Sequence, residues 1–350
     1  MSKPHPPSSS DQHVRLHIQS EYESLKSVLV HTPTHEIDRL TPKNKAELLF
    51  EDIPYLPKMQ AEHRHFVAVL KENGVRVLQL GDLLQNILEN EESRRRLVSE
   101  CCNASLQPSL ANILLDFCSP LMLRDILLGG ITPSELADIT GKRLAHSHDP
   151  EDPFLLEPIP NSYFTRDPAV VLGDNIVFCK MHYRARVRES IIIREIFRNH
   201  QLFGGPPAVF GDTGTSEDRP YTLEGGDIIV LNNKAVAVGF SQRTRSESIQ
   251  VLATNLFKKK LAERVYEVSI PAERSYMHLD TVFTVVDQGL VVAFPYVMDT
   301  ITDIRRYEPI AIDGRDGRTV AAYPIKETRR FNTILAAEFG RLQIVHTGNN

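Results

Sequence analysis

The chain has 350 residues, of which 41% are hydrophobic and 24% charged, with a formal net charge of −5. This supplies enough apolar mass for one large globular domain or two smaller ones. It carries no long basic run, which excludes nucleic acid as the main partner, because phosphate binding needs clustered Lys and Arg. The short run Arg94-Arg95-Arg96 follows Glu91-Glu92 and reads as a solvated helix face. Cys101, Cys102, Cys118 and Cys179 make no CxxC pair and no disulfide-like framework, so they read as buried thiols of a cytoplasmic protein. No stretch is apolar for long enough to span a membrane, and no membrane partner is expected.

Residues 1–21 are expected to form a disordered leader, since Met1 to Gln12 is Pro- and Ser-rich without the apolar core of a secretory signal. Ordered structure is expected from Tyr22, with Ser27-Val28-Leu29-Val30 as a short buried strand. A helix is predicted near Lys58 to Asn73, with Met59, Phe66, Val69 and Leu70 on one face, Gly74 as its stop and a strand over Val75 to Leu80. From about Gly81 to Leu144 strand signals vanish and Leu-rich amphipathic stretches take over. Ser119-Pro120 and Thr132-Pro133 each place a capping residue before Pro, and Thr132-x-x-Glu135 is a capping box that Gly141 can close. This segment, residues 81–145, reads as an inserted all-helical subdomain.

After Asp149 a module recurs: a hairpin, an amphipathic helix, then usually a strand. Ala169–Leu172 pairs with Ile176–Cys179 across Gly-Asp-Asn, before a helix near Arg188 to Phe197. Ile228–Leu231 pairs with Ala235–Val238, before a helix near Ser246 to Lys258 announced by Thr244-x-x-Glu247. Val282–Val286 pairs with Leu290–Ala293, before a helix near Thr328 to Phe339 and a strand at Leu342–Val345. Such repetition predicts a ring or array of ββα-type units.

Polar constellations stand immediately before these hairpins: Asn161-Ser-Tyr-Phe164-Thr-Arg166-Asp167, Leu223-Glu224-Gly225-Gly226-Asp227, and Met277-His278-Leu279-Asp280-Thr281. Asp167 to Glu224 is 224 − 167 = 57 residues and Glu224 to His278 is 278 − 224 = 54, so the groups take equivalent places in successive modules. Around an axis they would converge into an acidic, acceptor-rich pocket. A guanidinium suits it, being planar, rich in N–H donors and able to pair bidentately with carboxylates. His278 can move protons near neutral pH. A metal is the competing occupant, but no His-x-x-x-His or Cys spacing accompanies the carboxylates. His63-x-His65 lies on a helix where neighbours two apart do not share a face, and His146-x-His148 lies in a polar loop; neither is assigned to metal. Taken singly, each residue has a plainer reading: a surface ion pair for Asp167, a turn cap for Glu224, a core histidine for His278, a solvated charge for Arg243.

Jointly, FTRD, LEGGD and MHLDT, in this order and at these intervals, resemble arginine deiminase of the guanidine-modifying superfamily. The runs Leu40-Thr-Pro-x-Asn44 and Leu48-Leu49-Phe50-Glu51-Asp52-Ile53-Pro54-Tyr55, and the helical insertion, share that resemblance. It implies an α/β fold, a pseudo-fivefold α/β propeller of ββα-type modules with its last module incomplete, comprising residues 22–80 and 146–350. It implies that Asp167 and Asp280 hold the guanidinium of L-arginine, that Glu224 and His278 assist proton transfer, that Asn161, Arg186 and Arg243 bind the amino-acid end, and that Phe164 lines the pocket. No cofactor is implied, and a homo-oligomer stays open. The family nucleophile, a cysteine, is expected roughly 50–60 residues beyond Asn350. The 350-residue chain is therefore expected to form no citrulline alone and to aggregate. The alternatives are a non-catalytic arginine binder or scaffold, and a related guanidine enzyme: agmatine deiminase, dimethylarginine hydrolase or amidinotransferase. Agmatine has no carboxylate and would leave Arg186 and Arg243 without a purpose.

Overall fold

The computed structural model describes residues 13–142, 153–211, 221–298, 300–314 and 317–347. The stretch Met1 to Gln12, the pair His146 and His148, the boundary expected at 145/146, and residues 348–350 lie outside the described residues. Contacts divide the chain into two compact units. One comprises the chain up to Val14, Leu25–Thr165 and Arg184–Gly205; the other comprises Arg15–Ser24, Arg166–Tyr183 and the chain from Pro206 onward.

In the first unit, β1 (Ser27–Val30), α1 (His35–Asp38), α2 (Leu56–Glu72) and β2 (Arg76–Gln79) follow in order, and β1 and β2 pair in parallel from Ser27↔Arg76 to Val30↔Gln79. Helix α2 ends at Asn73, where Gly74 takes a φ of 76°. Its inner face differs from the expected one. Leu56 and Val67 are buried and Met59 packs against Ile37, Leu40 and Leu48, whereas Phe66 and Val69 are exposed. Counting apolar residues misled here because Val67 belongs to the same stripe as Leu56 and Met59. The chain continues through α3 (Leu80–Glu89), α4 (Glu91–Ala104), α5 (Pro108–Phe117), α6 (Pro120–Gly129) and α7 (Pro133–Thr140). The Ser119 hydroxyl caps α6 by accepting from the Met122 N–H, and Thr132 and Glu135 form a reciprocal capping box on α7, closed by Gly141 at a φ of 68°. Helix α8 (Val187–Asn199) packs on α3 and α4. It changes the reading of the arginine run: Arg95 is exposed, but Arg96 Nε reaches the fully buried Glu195 at 2.7 Å. A buried carboxylate left unpaired would be costly, so Arg96 turns inward.

The second unit holds β3 (Ala169–Leu172), β4 (Asn175–Phe178) and β5 (Ala208–Phe210). It continues with β6 (Ile228–Asn232), β7 (Ala235–Phe240), α9 (Ser246–Lys258) and β8 (Arg264–Ser269), then β9 (Phe283–Asp287), β10 (Leu290–Ala293) and α10 (Pro295–Met298). It ends with β11 (Ile304–Gly314), β12 (Gly317–Lys326), α11 (Phe331–Phe339) and β13 (Gln343–His346). The same arrangement recurs: β3–β4, β6–β7 and β9–β10 are antiparallel hairpins, and β5, β8 and β13 lie parallel to the second strand of each. The first hairpin turns on Gly173-Asp174 alone, one residue tighter than expected, with Gly173 at a φ of 56° and Leu172 opposite Asn175.

Strands β6 and β7 feed two cores. Ile228, Val230, Val236 and Val238 enter one with α9; Ile229, Leu231, Ala235 and Ala237 enter the other with Phe331, Ile334 and Leu335 of α11. Burial on both faces explains why these strands read as unbroken apolar runs. The long hairpin β11–β12, antiparallel on β8, has no counterpart among the expected modules, and Pro309 and Pro324 interrupt its sequence. Both prolines are tolerated: Pro309 lies past the last β8 pairing at Tyr307, and Pro324 sits on the outer strand. Order also begins earlier than Tyr22. Ile18 bridges Gly173, and the carboxylate of Glu21 accepts from Arg166 at 2.8 and 3.0 Å and from the Val230 N–H at 2.9 Å. A half-buried guanidinium needs that charge, which a strand-and-helix reading of residues 13–21 does not reveal.

Candidate active site

Each polar constellation occupies the entry to a hairpin. Asp167 stands two residues before β3. Glu224 and His278 each precede a single 3-10 turn, Gly225–Asp227 leading to β6 and Leu279–Thr281 leading to β9. The turns that enter successive hairpins bring the side chains together inside the second unit. His278 Nε2 lies 2.7 Å from Glu224 Oε2, and His278 Nδ1 lies 3.7 Å from Asp167 Oδ1. Arg243 Nη1 donates to the same Glu224 Oε2 at 3.4 Å, and the His182 N–H donates to Glu224 Oε1 at 2.8 Å. Relative exposures of 0% for Glu224, 3% for His278, 4% for Arg243 and 8% for Asp167 place all four groups in a low-dielectric setting. Asp280 is half-buried and feels the charges of His278, Asp167 and Arg166.

The electrostatics follow from that crowding. Burial disfavours charge on His278, but the Glu224 hydrogen bond and the carboxylates of Asp167 and Asp227 overcome it and raise its pKa to about 9. Burial pushes Glu224 up, yet His278, Arg243 and the His182 N–H hold it below the ordinary carboxylate value. Asp280 is pushed up to about 6 by burial, with His278 pulling down and Asp167 pushing up. The arrangement thus holds a protonated imidazole between two carboxylates, beside a carboxyl that titrates nearer to neutrality.

Arg243 is sandwiched by local chemistry. Its guanidinium carbon lies 5.0 Å from the Tyr183 ring centroid, and its buried Nε has no hydrogen-bond partner among the described residues. Thr244 does not cap α9 as its spacing suggested; that helix has Arg245 at its N-cap and no side-chain cap bond. The Thr244 hydroxyl instead accepts from the Glu224 N–H at 3.0 Å and donates to Asp227. Asp227, quoted in the LEGGD run but given no task, is fully buried and also accepts from the Leu279 N–H and Ser241 Oγ.

The Gly-Gly pair is what lets the groups approach. A Cβ on Gly226 would stand 2.6 Å from His278 Nδ1 and 3.0 Å from Asp167 Oδ1, and one on Gly225 would stand 2.1 Å from the Arg166 carbonyl oxygen. Gly226→Ala is therefore expected to cost about 1–3 kcal/mol through overpacking, read as a lower urea midpoint. A midpoint equal to the parent's would show that His278 yields without strain.

Asn161, Phe164 and Arg186 belong to the first unit. Asn161 Nδ2 donates to the Leu48 carbonyl at 2.8 Å. Arg186, at the N-cap of α8, holds Glu189 through Nε at 3.1 and 3.2 Å and through Nη2 at 2.7 Å, with its guanidinium carbon 6.0 Å from the half-exposed Phe164 ring. Arg186 and Arg243 stand at matching chain positions, each between the second strand of a hairpin and the following helix. All four cysteines are buried and unpaired. Among the described residues, no helix is long and apolar enough to cross a membrane.

The sequence model of the family Arginine deiminase matches residues 46–350. The chain is 34% identical over 307 residues to an arginine deiminase of Limosilactobacillus fermentum, covering 86% of this chain and 74% of that protein. It is 35% identical over 321 residues to one of Listeria welshimeri, with 90% and 77% covered. It is 32% identical over 342 residues to one of Pediococcus pentosaceus, with 95% and 81% covered. Among solved structures, an amidinotransferase of Microseira wollei from saxitoxin biosynthesis aligns with a TM-score of 0.45 at 15% identity, over 81% of this chain and 70% of that one. A dimethylarginine dimethylaminohydrolase adduct aligns with a TM-score of 0.44 at 14% identity, over 79% and 71%. A family match over most of the length, with relatives above 30% identity along nearly all of it, establishes that the chain belongs to the arginine deiminase family.

Proposed function

We propose that the second unit carries the guanidinium-binding and proton-transfer machinery of L-arginine deimination, the hydrolysis of L-arginine to L-citrulline and ammonia. The observation that carries this reading is the buried cluster of His278, Glu224 and Asp167, with Asp280 alongside and an Arg243 Nε that has no hydrogen-bond partner among the described residues. Asp167 and Asp280 would clamp the planar cation by bidentate pairing. A thiolate adds to the guanidinium carbon, the C–N bond breaks, and His278 gives its proton to the departing ammonia. Water then adds with its proton taken by His278 or Asp280, the C–S bond breaks, and the urea of citrulline forms. Glu224 keeps the imidazole oriented and charged until it donates. Cys101, Cys102, Cys118 and Cys179 are all buried, which disfavours each of them as the attacking thiolate.

Arg243 is assigned to the substrate carboxylate. By residue type and family resemblance, Arg186 takes the same task, Asn161 binds the amino-acid end, and Phe164 supplies an apolar wall. By the same resemblance, the recurring hairpin–helix–strand modules are assigned to a pseudo-fivefold propeller with residues 81–145 as its helical insertion.

If the carboxylate matters, L-arginine should bind the chain about 10- to 100-fold more tightly than agmatine, since a charge-assisted pair is worth about 1.5–3 kcal/mol. Arg243→Ala should erase most of that preference. Calorimetry compares the two ligands directly, and equal affinities would remove the basis for an arginine-specific site.

A further inference from the structure

The chemistry proposed above uses Asp167, Glu224, His278 and Asp280, and leaves one fully buried carboxylate beside them unexplained. Asp227 closes the Glu224-Gly225-Gly226-Asp227 turn and is completely shielded. Its Oδ1 accepts from the Leu279 N–H at 2.9 Å, the first amide of the 3-10 turn between His278 and Asp280. Its Oδ2 accepts from Ser241 Oγ at 2.8 Å, and the Thr244 hydroxyl also donates to it. Ser241 Oγ in turn accepts from the N–H groups of Arg243 at 3.0 Å and Thr244 at 3.1 Å, so the loop bearing Arg243 is wound around that hydroxyl. The room for the carboxylate is cut by a glycine: a Cβ on Gly239 would stand 2.3 Å from Asp227 Oδ1.

We infer that Asp227 is a positioning residue that fastens the His278–Asp280 turn and the Arg243 loop to the Glu224 turn, so that one buried carboxylate sets the mutual placement of the groups that meet the substrate's two ends. This rests on the reading of the site as an L-arginine site. Asp227 touches no reacting atom; it acts through Leu279 and Ser241. Donors converge on it from two separate segments, and an uncharged acceptor would satisfy them less well. Burial pushes its pKa up to about 7, while His278 and the hydroxyl and amide donors pull it down, so its charge also bears on the imidazole beside it.

The test uses the 350-residue chain and needs no turnover. Asp227→Asn is nearly isosteric and is expected to lower the titration midpoint of His278, followed by NMR of the imidazole, by roughly one unit. It should also weaken L-arginine about tenfold in calorimetry. Ser241→Ala keeps the carboxylate and releases only the Arg243 loop, so it should weaken L-arginine about fivefold and leave agmatine unchanged. A folded Asp227→Asn chain with the parent's His278 midpoint and L-arginine affinity overturns the assignment. Should that variant fail to fold, Ser241→Ala decides it, because an undiminished preference for L-arginine over agmatine overturns it equally. A parent chain that binds no L-arginine would sink the proposed function instead, while the His278 titration still judges Asp227.

Discussion

Glu224→Ala is expected to destabilise the second unit by about 3–5 kcal/mol, the penalty of stranding buried charges that have lost their partner. The Glu224 carboxylate has no exposure and serves His278, Arg243 and the His182 N–H at once. Removing it leaves a protonated imidazole and a guanidinium facing an apolar gap. Glu224→Gln should be milder, about 1–2 kcal/mol, because the amide oxygen still accepts from His182 while the amide nitrogen can donate only to a neutral imidazole. Both substitutions should therefore drive His278 toward its neutral form and weaken L-arginine binding.

The penalty should depend on pH, with a sign fixed by linkage. His278 is raised from 6.5 to about 9, so its contribution is full below 6.5 and lost as pH rises through about 9. Glu224 is depressed below 4.5, so its contribution is present above 4.5 and lost as pH falls through the lower folded value. The pair is worth most between those limits. Asp280 and Asp227 work the other way from Glu224. Their raised values, about 6 and about 7 against a reference of 3.8, withdraw stability as pH climbs through that range. Urea midpoints of parent and Glu224→Ala should thus differ most near about pH 5.5, and the gap should narrow toward about pH 9.5 to the share that Arg243 and the His182 N–H retain. A gap of the same size at both ends would mean that the charge on His278 contributes nothing to it.

Much of this centre could be read before any coordinates, for a geometric reason. When a hairpin module repeats, the turns that enter each copy can gather in one region, and the near-equal intervals separating Asp167, Glu224 and His278 pointed to three such turns, whose side chains lie close together. Doubly buried strands such as β6 and β7 announce themselves as apolar runs, and α9 begins and ends at the residues expected, Ser246 and Lys258. The partners that complete the charges were hidden. Glu21 lies far from Arg166 in sequence, and no local pattern marks a residue that a distant guanidinium will recruit. Asp227 looked like one more turn residue after Gly-Gly. Thr244 fitted a helix cap by spacing, but its hydroxyl has better-buried work to do between Glu224 and Asp227. The sequence pattern is blind to that competition because both outcomes need the same residue.

The polypeptide of these 350 residues is expected to release no citrulline from L-arginine above background, because it presents no usable thiolate. A guanidinium carbon is a poor electrophile, its charge being shared over the attached nitrogens, and covalent catalysis is what divides that barrier. Burial pushes the Cys101 thiol up to about 12 and Cys102 to about 11, and raises Cys118. Cys179 is the instructive case, since it lies close enough to feel Glu224 and Asp167. Burial and those two carboxylates together raise its pKa well above the ordinary thiol value, so the same charges that welcome a guanidinium suppress a thiolate there. In any preparation that does form citrulline, His278→Ala should lower the rate by about 10²–10⁴ through loss of proton transfer. Citrulline formed by the 350 residues alone, and lost in both Cys179→Ala and His278→Ala, would place the nucleophile at Cys179 and require the buried thiol to become exposed when L-arginine binds.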